Sequence, residues 1–144
     1  MIHVVVDTNT LVAAFINPKG YRAQLLSALH RGEFQIIISP KILKEYEYIL
    51  SLPAIRADSG WSETEIDRQL SVLVARAIIV PGALDLRVIA KDPTDDKFFV
   101  AAVEGEANYI VTKEQAWKKL KTYRGIRIVS PSKFYEILQK LKKN

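Results

Sequence analysis

At 144 residues the chain has the size of one ordinary domain, long enough to bury a core without covalent staples. Its 49% hydrophobic and 26% charged residues exclude a disordered or fibrous chain, and the absence of cysteine excludes disulfides and thiolate zinc sites. The net charge of +5 is lopsided: from Lys113 onward ten Lys and Arg stand against two acids, and the first 112 residues hold 11 basic against 14 acidic side chains.

Such a division suits a protein that holds cations in one place and a polyanion in another, although a basic block is ordinarily just a solvated face. No apolar run reaches the roughly 18 residues needed to cross a bilayer, and the N-terminus has no signal-like basic region and apolar core. The expectation is a single domain over residues 1–144, cytoplasmic and away from membranes.

The first strand-like run, Ile2 to Val6, stops on Asp7. An acid there either belongs to a site or caps the helix that follows through Leu11 to Ile16, a task Thr8 or Asn9 could also do. Phe34 to Ile38 reads as a second strand. Ser39-Pro40 then supplies an N-cap and a proline at the first helical position, with Ile42, Leu43, Tyr46, Ile49 and Leu50 on one stripe. Glu45 and Glu47 flank that stripe at similar angles, so helical phase does not choose between them. The stretch "SLPAIRADSGW" reads as a loop. Ser62 with Glu65 forms a capping box opening a helix to about Ala75, and Ala77 to Val80 reads as a third strand.

"PGALDLRVIAKDP" is a connection inside the domain. In "KDPTDDKFF" three acids, Asp92, Asp95 and Asp96, crowd around the start of a helix capped by Thr94 and running through Val103. The helix macrodipole stabilises a carboxylate there by about 0.3 to 1 kcal/mol, which accounts for one or two acids but does not require three. Tyr109 to Thr112 is a fourth strand, followed by Lys113 and Glu114. Ile126 to Val129 is a fifth, and Ser130-Pro131 repeats the cap-then-proline signal for a terminal helix. His3 lies inside the first strand and reads as structural; His30 lies at a helix end by Gly32.

Short, apolar, non-alternating strands separated by helices predict a three-layer α/β sandwich with a mainly parallel sheet of about five strands. In such sheets ligands gather at the carboxyl ends of the strands. Four segments deliver an acid to that edge. Two unit charges 4 Å apart repel by roughly 4 kcal/mol at an effective dielectric of 20, so a cluster of acids needs protons or cations. With only two His and no Cys, the available ligands are oxygens, which favour Mg²⁺ or Mn²⁺.

The segments "VVVDTNTLVAAF", "IIISPKILKEYEYIL", "KDPTDDKFFVAAVEGEANYIVT" and "IRIVSPSKFYEIL" together resemble PIN-domain proteins of the VapC type, the toxins of toxin–antitoxin pairs, over nearly the whole chain. The resemblance implies a Mg²⁺- or Mn²⁺-dependent endoribonuclease whose acids activate water for phosphodiester cleavage. It implies that Asp7 is the first metal-binding acid with Asn9 as its polar support, and that Glu45 rather than Glu47 is the second. Asp96 is then the third, with Asp95 as its substitute. Thr112-Lys113-Glu114 stands where the family usually has Thr-Gly-Asp or Thr-Arg-Asp, and the extra methylene of Glu114 moves its carboxylate by about 1.5 Å.

The resemblance further implies a homodimer silenced by an antitoxin protein. RNA phosphates are expected on the basic stretch from Trp117 to Arg127, through Lys118, Lys119 and Lys121, with binding that weakens as salt rises. Lys113 could meet the phosphate or pair with an acid. The loop after Asn17 is a second candidate for RNA contacts, and Trp117 could stack a base, although beside Leu120 it reads as packing. Two other readings stand beside these. A haloacid-dehalogenase-type phosphohydrolase would need a second acid where Asn9 stands. A nucleic-acid-binding or scaffold module with a degenerate acidic site would explain the departure at Glu114.

Overall fold

The computed structural model describes residues 1–17, 20–89 and 92–143, the side chains of Tyr21 and Arg22 excepted. The candidate RNA-contact loop directly after Asn17 and Lys91 of the third motif lie outside them. The chain begins with β1 (His3–Val6), α1 (Thr8–Ile16), α2 (Tyr21–His30), β2 (Gln35–Ile38) and α3 (Pro40–Ser51). It continues through α4 (Pro53–Ser59), α5 (Glu63–Arg76), β3 (Ile78–Ile79), a 3-10 turn (Pro93–Asp95) and α6 (Asp96–Glu104). It closes with β4 (Tyr109–Val111), α7 (Gln115–Lys118), β5 (Thr122–Tyr123), β6 (Ile126–Val129) and α8 (Pro131–Lys143).

The strands form one sheet in the order β3-β2-β1-β4-β6-β5, parallel throughout except for the β5–β6 pair. Successive residues of a strand point to opposite faces, yet Val4 and Val5 are both fully buried, as are Ile36 and Ile37 to within 1%. Both faces of the sheet are therefore covered by helices, the layered α/β arrangement expected from the unbroken apolarity of these runs.

Local chemistry explains the helix boundaries. Ser39 Oγ accepts from Ile42 N–H at 3.3 Å ahead of Pro40, and Ser62 Oγ accepts from Glu65 N–H at 3.2 Å and donates to the Glu65 carboxylate at 3.1 Å, so the Ser-x-x-Glu pair does cap α5. The third motif is capped differently from expectation. Asp92, not Thr94, is the cap, accepting from Thr94 N–H at 3.1 Å, because the segment begins with a 3-10 turn before α6 takes over.

Other departures have equally local causes. "SLPAIRADSGW" contains a helix, α4, with Pro53 at its first position and Gly60 as a left-handed C-cap at φ 70°. The described residues form six strands, in keeping with the expected sheet of about five and one short addition. The extra one, β5, pairs with β6 through a two-residue hairpin turn in which Arg124 and Gly125 take φ 51° and 81°, the all-positive pattern whose twist matches a hairpin.

Gly105, just past α6, lies directly against the sheet. A Cβ there would lie 2.8 Å from two side-chain carbons of Ile37, itself fully buried in β2. Gly105→Ala is therefore expected to destabilise the fold by about 1 to 3 kcal/mol through overpacking. Urea unfolding should show this as a lower midpoint at unchanged slope; an unchanged midpoint would contradict it.

Candidate functional site

β1 lies between β2 and β4 in the sheet, so the chain leaves its neighbours in opposite directions at this point and opens a crevice at the strands' carboxyl ends. Asp7 sits there, 4% exposed. It is a helix cap, whichever part it plays in a site. Oδ1 accepts from Thr10 N–H at 3.0 Å as the N-cap of α1, and Oδ2 accepts from the Thr112 hydroxyl at 2.7 Å. Burial raises its pKa above the ordinary carboxyl value, opposed by the bonds from Thr10 and Thr112, and the charge of Glu114 adds to the rise. Thr112, fully buried at the end of β4, also accepts from Glu114 N–H at 2.9 Å, so one hydroxyl ties the fourth motif to the first.

Glu45 joins from α3. Its Oε2 accepts from the Thr8 hydroxyl, and its Oε1 pairs with Lys97 Nζ at 2.7 Å, so α1, α3 and α6 meet at one carboxylate. Glu47 faces away and lines a separate cavity of about 420 Å³ with Tyr48 and Arg56. Next to Glu45, the fully buried Tyr46 donates to Val6 O at 2.6 Å. Burial first, then the charges of Asp7 and Glu45, push the Tyr46 pKa well up, which keeps the proton that fastens α3 to the end of β1.

The acids of the third motif divide. The Asp95 pKa is raised to about 6, by desolvation first, then by Asp92, with Glu45 and Glu114 adding to the rise and Lys97 opposing it. Asp96, 5% exposed, turns Oδ1 to the N–H groups of Val88 and Ile89 at 3.0 and 2.7 Å. At the far end of α6, Glu104 accepts from the N–H groups of Gly82, Ala83 and Leu84 at 2.6, 2.8 and 3.1 Å. The irregular strap of residues 81–89 is thus fastened to both ends of one helix.

Of the other residues singled out in the sequence, Asn9 is exposed and makes no side-chain hydrogen bond with the described residues. Lys113, Glu114, Lys119 and Lys121 are exposed, and Lys118 is half-buried. Trp117 is 2% exposed, its ring 5.4 and 5.3 Å from those of Phe98 and Phe99, so it packs and cannot stack a base. His3 is structural, with Nδ1 3.0 Å from Gly105 O.

Three contacts around the candidate site and its strap were not foreseen: those of Thr8, Lys97 and Glu104. Two of them left a signal. A lysine in the first turn of α6 and a glutamate in its last both oppose the helix dipole, which points to partners outside the helix. Glu104→Ala is expected to cost about 1 to 3 kcal/mol by leaving partly covered N–H groups unpaired. Amide exchange should quicken at Gly82, Ala83 and Leu84; exchange as slow as in the parent would contradict the tether.

The family model described as a PIN domain matches residues 3–116. The chain belongs to the PIN domain family. This PIN domain is 27% identical over 147 residues to the uncharacterized protein MJ1680 of Methanocaldococcus jannaschii, across 96% of this chain and 93% of the relative. Its fold is similar to that of a chain in the crystal structure of VapBC2 from Rickettsia felis bound to a DNA fragment from the promoter. That likeness has a TM-score of 0.55 at 17% identity and covers 90% of this chain and 98% of the other. PIN domains are typically nucleases and generally bind Mg²⁺. No helix among the described residues is long and apolar enough to cross a membrane.

The donor atoms of this PIN domain are of the type such an ion takes, but their arrangement in this structure does not gather them around one. All the acids present hard oxygens, and the raised Asp95 is a carboxylate that a nearby cation would relieve. The acids stand dispersed: no group of three or more Asp, Glu or His among the described residues could hold a metal ion. Lys97 stands at Glu45 as the local counter-charge.

Proposed function

We propose that this PIN domain is a Mg²⁺- or Mn²⁺-dependent endoribonuclease and the toxin component of a toxin–antitoxin pair. The observation that carries the reading is the buried Asp7 at the sheet's switch point, with Glu114 acting on its charge and Glu45 and Glu114 acting on that of Asp95. Asp7, Glu45 and Asp96 are the ligands the resemblance assigns to the ion, which would have to draw them together from the dispersed positions they hold here, and Glu114 completes the negative field. Asp95 shares the third position, since Asp96 has one oxygen committed to the strap and the Asp95 carboxylate accepts no hydrogen bond from the described residues.

When bound, the ion supplies Lewis-acid polarisation of the phosphoryl group and a lowered pKa for water. The protein's own groups do the rest. Thr112 and Thr10 N–H orient Asp7, Thr8 orients Glu45, and Asn9, exposed two residues beyond Asp7, is the polar support the resemblance assigns. Before the ion binds, Asp95, with a pKa of about 6, can take up or release a proton near neutral pH.

The remaining assignments rest on the resemblance. The likeness to a VapBC2 chain supports an antitoxin partner, and the family pattern supports a homodimer. The continuous core supports one domain over residues 1–144, and the absence of cysteine accords with a cytoplasmic setting. A second reading, a nucleic-acid-binding module with an inactive acidic site, is favoured by the exposure of Glu114 and by the dispersed acids.

Incubation of single-stranded RNA with the protein and Mn²⁺ separates the two. Cleavage that is lost in Asp96→Asn or Asp95→Asn supports the nuclease and shows which acid matters more. RNA retention without cleavage under either ion would establish the binding module instead.

A further inference from the structure

Beside the acids lies a groove of about 720 Å³, bounded by the first turns of α3, the strap of residues 81–89 and the start of α6. Among its charged lining residues Lys41, Lys44, Arg87 and Lys97 stand against Glu45, Asp85 and Asp96. Lys41 and Lys44 stand three residues apart on the same face of α3, both exposed and without an ion pair to any described residue. Arg87 reaches in from the strap. Its only described pairing is with Asp85 at 2.7 Å, and with side chains 78% and 81% exposed this is a contact that water and salt weaken. Leu84, 45% exposed, adds an apolar surface to the same wall. Glu45 and Asp96 line the groove as well, so the cationic surface runs directly into the candidate catalytic acids.

We propose that this groove is the track of the RNA substrate: a single strand lies with its phosphates on Lys41, Lys44 and Arg87 and a base against Leu84. The next phosphate along the strand is thereby presented to Glu45 and its neighbours. Naming the strand as substrate rests on the nuclease reading. The track itself rests on charge complementarity and on a wall held in place by five backbone N–H groups bonded to Asp96 and Glu104. It also revises where RNA is held. Lys118 ends α7 and Lys119 and Lys121 follow it; α7 packs on β6, on the opposite side of β1 from the β2–α3 unit that carries the groove. A strand led in by Lys41 and Lys44 therefore reaches the acids without touching the C-terminal lysines.

The test is equilibrium binding of a labelled single-stranded RNA to the full chain in EDTA, over a range of NaCl concentrations. The proteins compared are the parent, Lys41→Gln/Lys44→Gln, Arg87→Gln, Lys41→Arg/Lys44→Arg and Lys118→Gln/Lys119→Gln/Lys121→Gln. The Lys41→Gln/Lys44→Gln pair should bind at least about tenfold more weakly, with a salt slope shallower by about 1.4, or roughly 0.7 for each single-strand phosphate no longer neutralised. The arginine pair should keep affinity and slope, which separates a charge effect from a packing effect, and Arg87→Gln should show about half the change in slope. Unchanged affinity and slope in the glutamine pair would overturn the track, as would a loss confined to the C-terminal triple variant. Cleavage is scored separately in Mn²⁺. Groove-dependent binding without cutting would sink the nuclease and spare the track, whereas cutting with groove-independent binding would do the reverse.

Discussion

Asp7→Asn is expected to slow Mn²⁺-dependent cleavage of single-stranded RNA on the order of 10²-fold or more, while leaving the metal-free protein at least as heat-stable as the parent. The two effects have one cause. Asp7 is buried and its charged form is disfavoured there, so removing the charge relieves the fold. Asparagine is as good a helix cap as aspartate, its oxygen can still accept from Thr10 N–H, and its amide can donate to the Thr112 hydroxyl. What asparagine cannot supply is the negative oxygen a hard ion requires. A variant that melts lower than the parent and also fails to cut would reduce Asp7 to a structural cap. One that cuts as fast as the parent would remove it from the chemistry.

The second large effect is pH-dependent stabilisation by the ion. Asp95 has a folded pKa of about 6 against an ordinary value of 3.8, so between those values the folded state binds more protons than the unfolded state. Stability of the metal-free protein must therefore fall as pH rises through that window, and the buried Asp7 contributes with the same sign. A dication binds the deprotonated oxygens and restores that stability. At a hundredfold excess over its Kd it adds about 2.7 kcal/mol, which for a chain of this size is a Tm rise of roughly 5 to 10 °C. Thermal melts with and without Mn²⁺ should show a small increment at pH 5 and the full one at pH 7.5. Asp95→Asn should flatten the metal-free pH dependence across the same window. An increment equal at both pH values would show that the ion binds elsewhere.

The fold was legible where burial imposes itself on sequence. Val4 to Val6 and Ile36 to Ile38 are apolar without alternation because helices cover both faces, and Ser39-Pro40 and Ser62-Glu65 carry their caps in plain view. The misses were elements too small or too exposed to leave a pattern. β5 is two residues, held by a turn whose first residue, Arg124, is not one that usually signals positive φ. α4 buries no residue fully, so it has no clear apolar stripe to read.

At the candidate site the strand-end acids were legible because the rule that ligands collect at carboxyl ends needs only the order of elements. The choice of Glu45 over Glu47 was not a matter of phase. It depends on Thr8 and Lys97, two partners distant in sequence that reach one carboxylate and leave the other on a different surface. Asp95 and Asp96 were inseparable for a similar reason. Adjacent residues at a 3-10 to α transition point in different directions, and the strap that occupies Asp96 can be located only in three dimensions.

The most direct measurement is paramagnetic broadening of the protein's amide NMR signals by substoichiometric Mn²⁺. If carboxylates from the ends of β1 and β4 and from α3 and α6 share one ion, broadening should centre on Asp7, Glu45, Asp95, Asp96 and Glu114 and vanish in Asp7→Asn. Broadening scattered over surface acids such as Glu47, Asp58 and Glu136, and unchanged in Asp7→Asn, would mean that these carboxylates form no common site.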